Sequence, residues 1–152
     1  METPNQLAIR FREVFLNGKW IAGTNYREQL ESVNWEQANK KISSLNTIAL
    51  LAFHINYYLE GVLKVLEGGK LEIHDKYSFD APKINSESEW MELKERMSSN
   101  AEKFASFIEA MSEEKLESNF IDEKYGNYRR NIEGMIEHSY YHFGQISLIM
   151  KL

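Results

Sequence analysis

Histidine is scarce in this chain, and three of its four copies fall in strongly helical stretches. His54 lies within LLAFHINYYLEGVLKVLE, whereas His138 and His142 lie four residues apart in EGMIEHSYYHFGQISLIM. Residues at positions i and i+4 share one helix face, so the imidazoles of His138 and His142 can converge on one point. An imidazole from a neighbouring helix would complete a metal site inside a helix bundle. The histidines therefore indicate where chemistry could occur.

The chemistry that three imidazoles favour is that of a bound transition metal. Neutral imidazole nitrogens suit Zn, Ni, Fe and Cu, and three protein ligands leave coordination positions open, as in catalytic sites. HSYYH has the spacing of the zinc-peptidase motif HExxH, but Ser139 stands where the glutamate base belongs, which argues against a peptidase. The ion would act as a Lewis acid on water or on a thiolate. Histidines that are simply hydrogen-bonded within a core are the alternative interpretation.

Four long helices are predicted to position these histidines. Apolar residues at three-four spacing place them at about residues 4–17, 46–67, 86–111 and 128–150. Thr3 is the predicted N-cap of the first helix, and Ser86 with Glu89 forms a predicted capping box at the start of the third. No alternating strand pattern is evident, so we predict an all-α fold with residues 1–152 in one domain.

The connection between the second and third helices has the length of a crossover. Residues 70–85 are polar and exceed the few residues that join antiparallel helices, so the second and third helices are predicted to run parallel. His54 lies about eight residues into its helix and His142 about eight residues before the end of its own, so each is roughly 12 Å from a helix end. All three imidazoles then fall at the same depth if those two helices are antiparallel neighbours.

Composition argues against several classes of function. The net charge of −5 disfavours nucleic acid and anionic membranes as partners, because both select basic patches. The absence of cysteine excludes disulfides, thiolate metal sites and a cysteine nucleophile, so any thiol must be an external low-molecular-weight one. No signal peptide is evident, and the longest apolar run, residues 48–53, is too short to span a bilayer. We therefore predict a cytoplasmic protein.

Five further side chains are weighed for the site. Tyr58, one turn after His54, is the tyrosine most suited to line a pocket, and Gln145 could hydrogen-bond a metal-bound water or a ligating imidazole. Trp20 and Asn25 are weaker candidates for a pocket wall, with a plug in the core as the alternative for Trp20. His74 is expected to be a solvent-exposed loop residue that approaches the site only if the crossover folds back along the bundle.

The quoted motifs resemble those of a known family. The chain resembles the DinB/YfiT-like superfamily in having a histidine early in the second long helix and HxxxH near the C-terminus. Two further segments are also similar to sequences of that superfamily: NGKWIAGTNYREQLESVNWEQANKKI and DKYSFDAPKINSESEW. The resemblance covers nearly the whole chain. It implies a four-helix bundle of up-down-down-up topology with a long crossover, and a divalent metal, often nickel or zinc, held by His54, His138 and His142. It also implies that a homodimer is common.

Three hypotheses for function follow. The resembled superfamily includes thiol-dependent S-transferases and metal-dependent hydrolases. The first hypothesis is therefore a metal-dependent enzyme of one of these types that acts on a small molecule. The second is a non-catalytic protein that binds a metal or a small molecule, which the missing carboxylate base favours. The third is a structural dimer with a vestigial metal site.

Overall fold

The computed structural model describes residues 1–152, and every regular element in it is helical. The α-helices are, in chain order, α1 (Pro4–Phe15), α2 (Tyr26–Glu31), α3 (Trp35–Ala38), α4 (Ile48–Leu66), α5 (Glu87–Ala110), α6 (Glu113–Glu117) and α7 (Tyr128–Ile149). Two short 3-10 helices span Asp75–Tyr77 and Glu123–Tyr125. The predicted all-α class is therefore confirmed, and the four predicted long helices correspond to α1, α4, α5 and α7.

The long helices begin where side chains satisfy their first free backbone N–H groups. Thr3 and Gln6 form a capping box at the start of α1, and Ser86 accepts a hydrogen bond from the backbone N–H of Glu89 at the start of α5. Both N-caps are as predicted. The Glu89 carboxylate, however, accepts from Asn85 N–H instead of closing the predicted capping box on Ser86. The predicted helix limits differ from the observed ones by one or two residues, as expected for frayed ends.

The core lies between the long helices and is sealed by α2 and α3. α1 packs against α5 and α7, and α4 packs against the same two helices. The Tyr26 hydroxyl donates a hydrogen bond to the Ser139 carbonyl at 2.5 Å, which fastens α2 to α7. The indole N–H of Trp90 donates to the Val33 carbonyl at 2.7 Å, so both large buried side chains have their polar atom satisfied.

The crossover between α4 and α5 folds back against α4. Ile73 packs so close to Gly61 that a Cβ at Gly61 would lie 2.2 Å from the Ile73 Cγ2. The Tyr57 hydroxyl accepts a hydrogen bond from His74 N–H at 2.9 Å, and the Tyr58 hydroxyl donates to the Asp75 carboxylate at 2.6 Å. We call residues 70–79 the crossover strap, because they lie along α4 beside the histidines.

α4 has the length and composition of a helix that could cross a membrane. It has 19 residues and a mean hydropathy of 1.2, but 56% of the stretch is buried within the protein. A core helix that packs against neighbours on two sides needs the same composition, and α4 packs against both α5 and α7.

Candidate metal centre

Three imidazoles meet between α4 and α7. The Nε2 atom of His138 lies 3.2 Å from the Nε2 of His54 and 3.0 Å from the Nε2 of His142. His54 and His142 are buried and His138 is half-buried. The two parts of the chain that carry these residues are far apart in sequence, and packing of α4 against α7 brings them together. We call His54, His138 and His142 the histidine triad.

The spacing of the triad fits one metal ion. With bonds of about 2.0–2.1 Å to the ion, two imidazole nitrogens at angles of about 90–110° are roughly 2.9–3.4 Å apart. The observed separations of 3.0 and 3.2 Å lie in that range, and the three ligand atoms all lie within 4.8 Å of one another. The triad is therefore positioned so that it could hold a metal ion.

Hydrogen bonds on the far side of two rings fix which nitrogen faces the centre. The Nδ1–H of His54 donates to the Ser78 carbonyl at 3.2 Å, and the Nδ1–H of His142 donates to the Gln145 side-chain oxygen at 2.6 Å. Both rings then present an unprotonated Nε2 to His138. A single proton on the Nε2 of His138 can be donated to the Nε2 of His54 or to the Nε2 of His142, but not to both. At least one of these two nitrogens is therefore left without a hydrogen-bond donor. A cation at the centre would satisfy all three nitrogens.

Burial favours the neutral, metal-ligating form of His54 and His138. Burial, followed by the charges of His142 and His54, lowers the pKa of His138 to about 4. Burial and the charge of His142 also lower the pKa of His54, although the Ser78 carbonyl and Asp75 partly oppose the effect. Both imidazoles are therefore unprotonated near neutral pH, with lone pairs available.

The crossover strap holds His54 in place from outside the two helices. The Phe79 ring stacks on the His54 imidazole with centroids 3.9 Å apart and planes 7° from parallel. The Ser78 carbonyl supplies the acceptor for the same ring. Sequence reasoning missed both residues, and the available signal was the presence of aromatic and aliphatic side chains, Phe79 among them, in a connection treated as polar.

An open cleft of about 780 Å³ begins at the triad. His138 is the triad residue that lines it, together with Tyr58 and residues of the strap. Burial and the hydrogen bond to Asp75 raise the pKa of Tyr58, so this residue presents a neutral phenol to the cleft. The lining residues are Tyr58, Val62, Leu71, Ile73, His74, Asp75, Lys76, Phe120, Tyr125, Arg130, Asn131, Gly134, Met135 and His138.

The other predicted candidates divide into two groups. Tyr58 lines the cleft and Gln145 binds a triad imidazole, as proposed from the sequence. His74 is exposed as predicted, yet it lines the cleft because the strap folds back. The expectation for Trp20 and Asn25 is wrong. Trp20 is 71% exposed and plugs no core, and Asn25 caps α2 and donates to the Gly18 carbonyl.

The fold and the centre together define an all-helical protein with a three-histidine site at the head of a cleft. The sequence model of the DinB superfamily matches residues 22–146, a stretch that contains the whole triad. The chain belongs to the DinB superfamily. No curated protein and no solved structure is significantly similar to it.

Proposed function

We propose that the four long helices form the up-down-down-up bundle that the family resemblance implies. Two observations support a parallel arrangement of α4 and α5. Ala49, near the start of α4, shares a cavity wall with Glu89 near the start of α5. About two turns further along α4, Asn56 accepts a hydrogen bond from Asn100, which lies about three turns further along α5 in the same direction.

Neighbours of α7 support the remaining directions. Residues late in α4 line the same cleft as residues early in α7, and residues early in α4 line the same cavity as residues late in α7, which favours an antiparallel pair. A residue before α1 contacts a residue near the start of α7, and a residue after α1 contacts a residue further along α7. This order favours a parallel arrangement of α1 and α7. The pairs are Val62 with Met135 and Leu51 with Ile149 for α4, and Glu2 with Arg129 and Trp20 with Tyr140 for α1.

We propose that the triad holds one divalent transition-metal ion and that the cleft admits a small-molecule substrate to it. The observation that carries this proposal is the convergence of three Nε2 atoms, two of them on rings that donate their Nδ1–H away from the centre. Three neutral nitrogen ligands favour zinc or nickel, in line with the family resemblance. When bound, such an ion supplies Lewis-acid chemistry at the triad end of the cleft.

The reaction that fits is a thiol-dependent transfer or a hydrolysis. The chain has no cysteine, so a thiol nucleophile would come from a low-molecular-weight cosubstrate. Ser139, at the position of the missing glutamate, is buried and donates its hydroxyl to the Met135 carbonyl, so it is not available as a base. The residues of the chain then bind and orient the reactants, with Tyr58 and the strap in the lining of the cleft.

A non-catalytic binding protein is the second candidate. The side-chain carboxylate in the cleft wall is that of Asp75, and it already accepts a hydrogen bond from Tyr58. A site without a free base is consistent with a protein that binds a metal or a small molecule without turnover.

Metal analysis of the purified protein tests the centre. We expect close to one zinc or nickel per chain in the wild type, loss of most of it in His138→Ala, and full retention in His74→Ala. His74→Ala is the matched control, because it removes a histidine that lines the same cleft outside the triad. Full occupancy in His138→Ala would contradict the assignment.

An activity screen then separates the two candidates. The metal-loaded protein is assayed for thiol transfer and for ester and amide hydrolysis, with and without chelator. Activity that chelator abolishes and metal restores supports the enzyme. Full metal occupancy without turnover in any of these assays supports the binding protein.

We also propose that the chain forms a homodimer, which the family resemblance implies. Light scattering on a size-exclusion column, with and without chelator, gives the mass in solution. A monomer mass under both conditions would contradict the dimer. A cytoplasmic location and the exclusion of nucleic acid and membrane as partners stay predictions.

A further inference from the structure

The cleft continues beyond the triad along α7 and has a glycine in its floor. Its outer part is lined by Arg130 and Asn131, and Gly134 lies between these residues and His138. At 1.5 Å per residue, Arg130 and His138 are about 12 Å apart along the helix axis. A molecule that reached both ends would therefore pass over Gly134.

Neither packing nor backbone conformation calls for a glycine at position 134. The residue is helical, it is not among the glycines with positive φ, and the one atom near an added Cβ would be the Arg130 Nη1 at 4.0 Å. Gly61 differs, because there Ile73 fills the space that a side chain would need. Glycine inside a helix is unfavourable. Gly144 on the same helix also lacks close neighbours, so the argument for Gly134 comes from its place in the cleft lining, where the space above it is open to a ligand.

The charges around the cleft favour an anion, although the whole chain is negative. Arg130 and Lys76 line the cleft against one carboxylate, Asp75, which accepts a hydrogen bond from Tyr58. The net charge of the chain is −5. The lining itself carries two cations and one carboxylate, with Glu137 outside it paired to Arg130, so it favours an anionic over a cationic ligand.

The Arg130 guanidinium is available for exchange. Its Nη1 donates to Glu137 at 3.1 Å, and both side chains are 60% exposed. Exposed ion pairs of this kind are weak, so an acidic group on a ligand can replace Glu137. The Asn131 side-chain amide binds the carbonyls of Tyr125 and Asn127 and keeps that end of the cleft in shape.

Much of the lining of the cleft is apolar. It contains side chains from the strap, from α4 and α7, and from the segment before α7: Val62, Leu71, Ile73, Phe120 and Met135. A ligand with an apolar body and one acidic group matches a lining that combines apolar side chains with Arg130 and Lys76.

We infer that the cleft binds a small amphipathic anion, with its acidic group at Arg130 and its apolar body over Gly134 toward the triad. This inference rests on the proposed function for the triad end of the cleft, and it adds the chemical class of the substrate.

Two fluorescent probes with the same apolar body test the inference. The anionic probe is 8-anilinonaphthalene-1-sulfonate, and the neutral one is N-phenyl-1-naphthylamine. We expect the anionic probe to bind with one site per chain. Arg130→Gln should weaken it about tenfold through loss of a charge-assisted hydrogen bond, and Glu137→Gln should tighten it about threefold by releasing Arg130. Neither change should alter binding of the neutral probe.

A matched pair of glycine substitutions tests the floor of the cleft. Gly134→Leu should weaken both probes about tenfold by filling the space, whereas Gly144→Leu, at an exposed position on the same helix, should weaken neither. Leucine favours the helix, so both variants should melt at or above the wild-type temperature, which separates a blocked cleft from unfolding. Equal effects of Arg130→Gln and Glu137→Gln on the anionic probe, or full binding to Gly134→Leu, would overturn the inference.

Metal content measured on the same samples separates this inference from the proposed function. Full metal occupancy with no discrimination between the probes contradicts the anion site alone. Discrimination between the probes in a wild type that holds no metal supports the anion site and contradicts the metal centre. Titrations before and after treatment with chelator show whether an ion contributes to the preference for the anion.

Discussion

Acid should destabilise the metal-depleted protein through the triad. Burial and the neighbouring imidazoles lower the pKa of His138 from 6.5 to about 4. Between those values the unfolded chain binds a proton at this residue and the folded chain does not. The free energy of unfolding therefore falls as the pH drops below about 6.5, and it continues to fall until about pH 4.

The size of the effect follows from the difference between the two pKa values. Each pKa unit corresponds to about 1.36 kcal/mol, so the difference sets an upper limit of about 3.4 kcal/mol. His138 is partly exposed to the cleft. Solvent screening reduces the effect of such a group, and we expect His138 to contribute about 1–2 kcal/mol. His54 acts in the same direction, because burial lowers its pKa too.

Urea denaturation of chelator-treated protein at a series of pH values measures this effect. Carboxylates also respond to acid, so the informative quantity is the difference between wild type and His138→Gln. From about pH 7.5 to about pH 4.5 the wild type should lose about 1–2 kcal/mol more than His138→Gln. His74→Gln, the control for removal of a histidine outside the triad, should follow the wild type. Parallel profiles for wild type and His138→Gln would refute the reasoning.

Three further predictions concern the centre and its support. Gln145→Leu removes the acceptor of the His142 Nδ1–H and should weaken metal binding about tenfold, measured by competition with a chromophoric chelator. Gln145→Glu keeps an acceptor and should bind the metal with the wild-type affinity. Equal metal affinities for the two variants would contradict this role of Gln145. Gly61→Ala places a methyl group 2.2 Å from the Ile73 Cγ2 and should lower the free energy of unfolding, measured by urea denaturation, by about 1–3 kcal/mol. The double variant with Ile73→Ala should recover part of this loss. An unchanged stability in Gly61→Ala would contradict the packing of the strap. Removal of the metal should lower the melting temperature of the purified protein, measured by calorimetry, by about 10 °C. The reason is that an ion at a concentration about a thousandfold above its dissociation constant stabilises the fold by about 4 kcal/mol. An unchanged melting temperature would contradict metal binding to the folded state.

Features set by neighbours along the chain are the ones that sequence reasoning predicted well. The N-caps at Thr3 and Ser86 depend on a side chain and a backbone group three residues away, so local chemistry determines them. The pairing of His138 with His142 depends on helix periodicity alone. The match in depth with His54 needed one long-range assumption, that α4 and α7 are antiparallel neighbours, and the packing of these helices confirms that they are neighbours.

The crossover strap shows why the rest could not be predicted. Its path depends on Ile73 fitting over Gly61 and on Phe79 stacking on His54, contacts between residues that no local rule relates. A polar connection also carries no periodic pattern from which a path could be inferred. Trp20 illustrates the opposite error, because a large apolar side chain was assigned to a wall or a plug although single exposed apolar residues are common.

X-ray absorption at the edge of the metal in the purified protein tests the central claim most directly. The triad predicts one metal per chain with scattering from three imidazole rings, and replacement of His54 by alanine should remove one of the three or release the ion. An ion bound by fewer than three imidazoles in the wild type, or an unchanged spectrum in His54→Ala, would contradict a centre shared between α4 and α7.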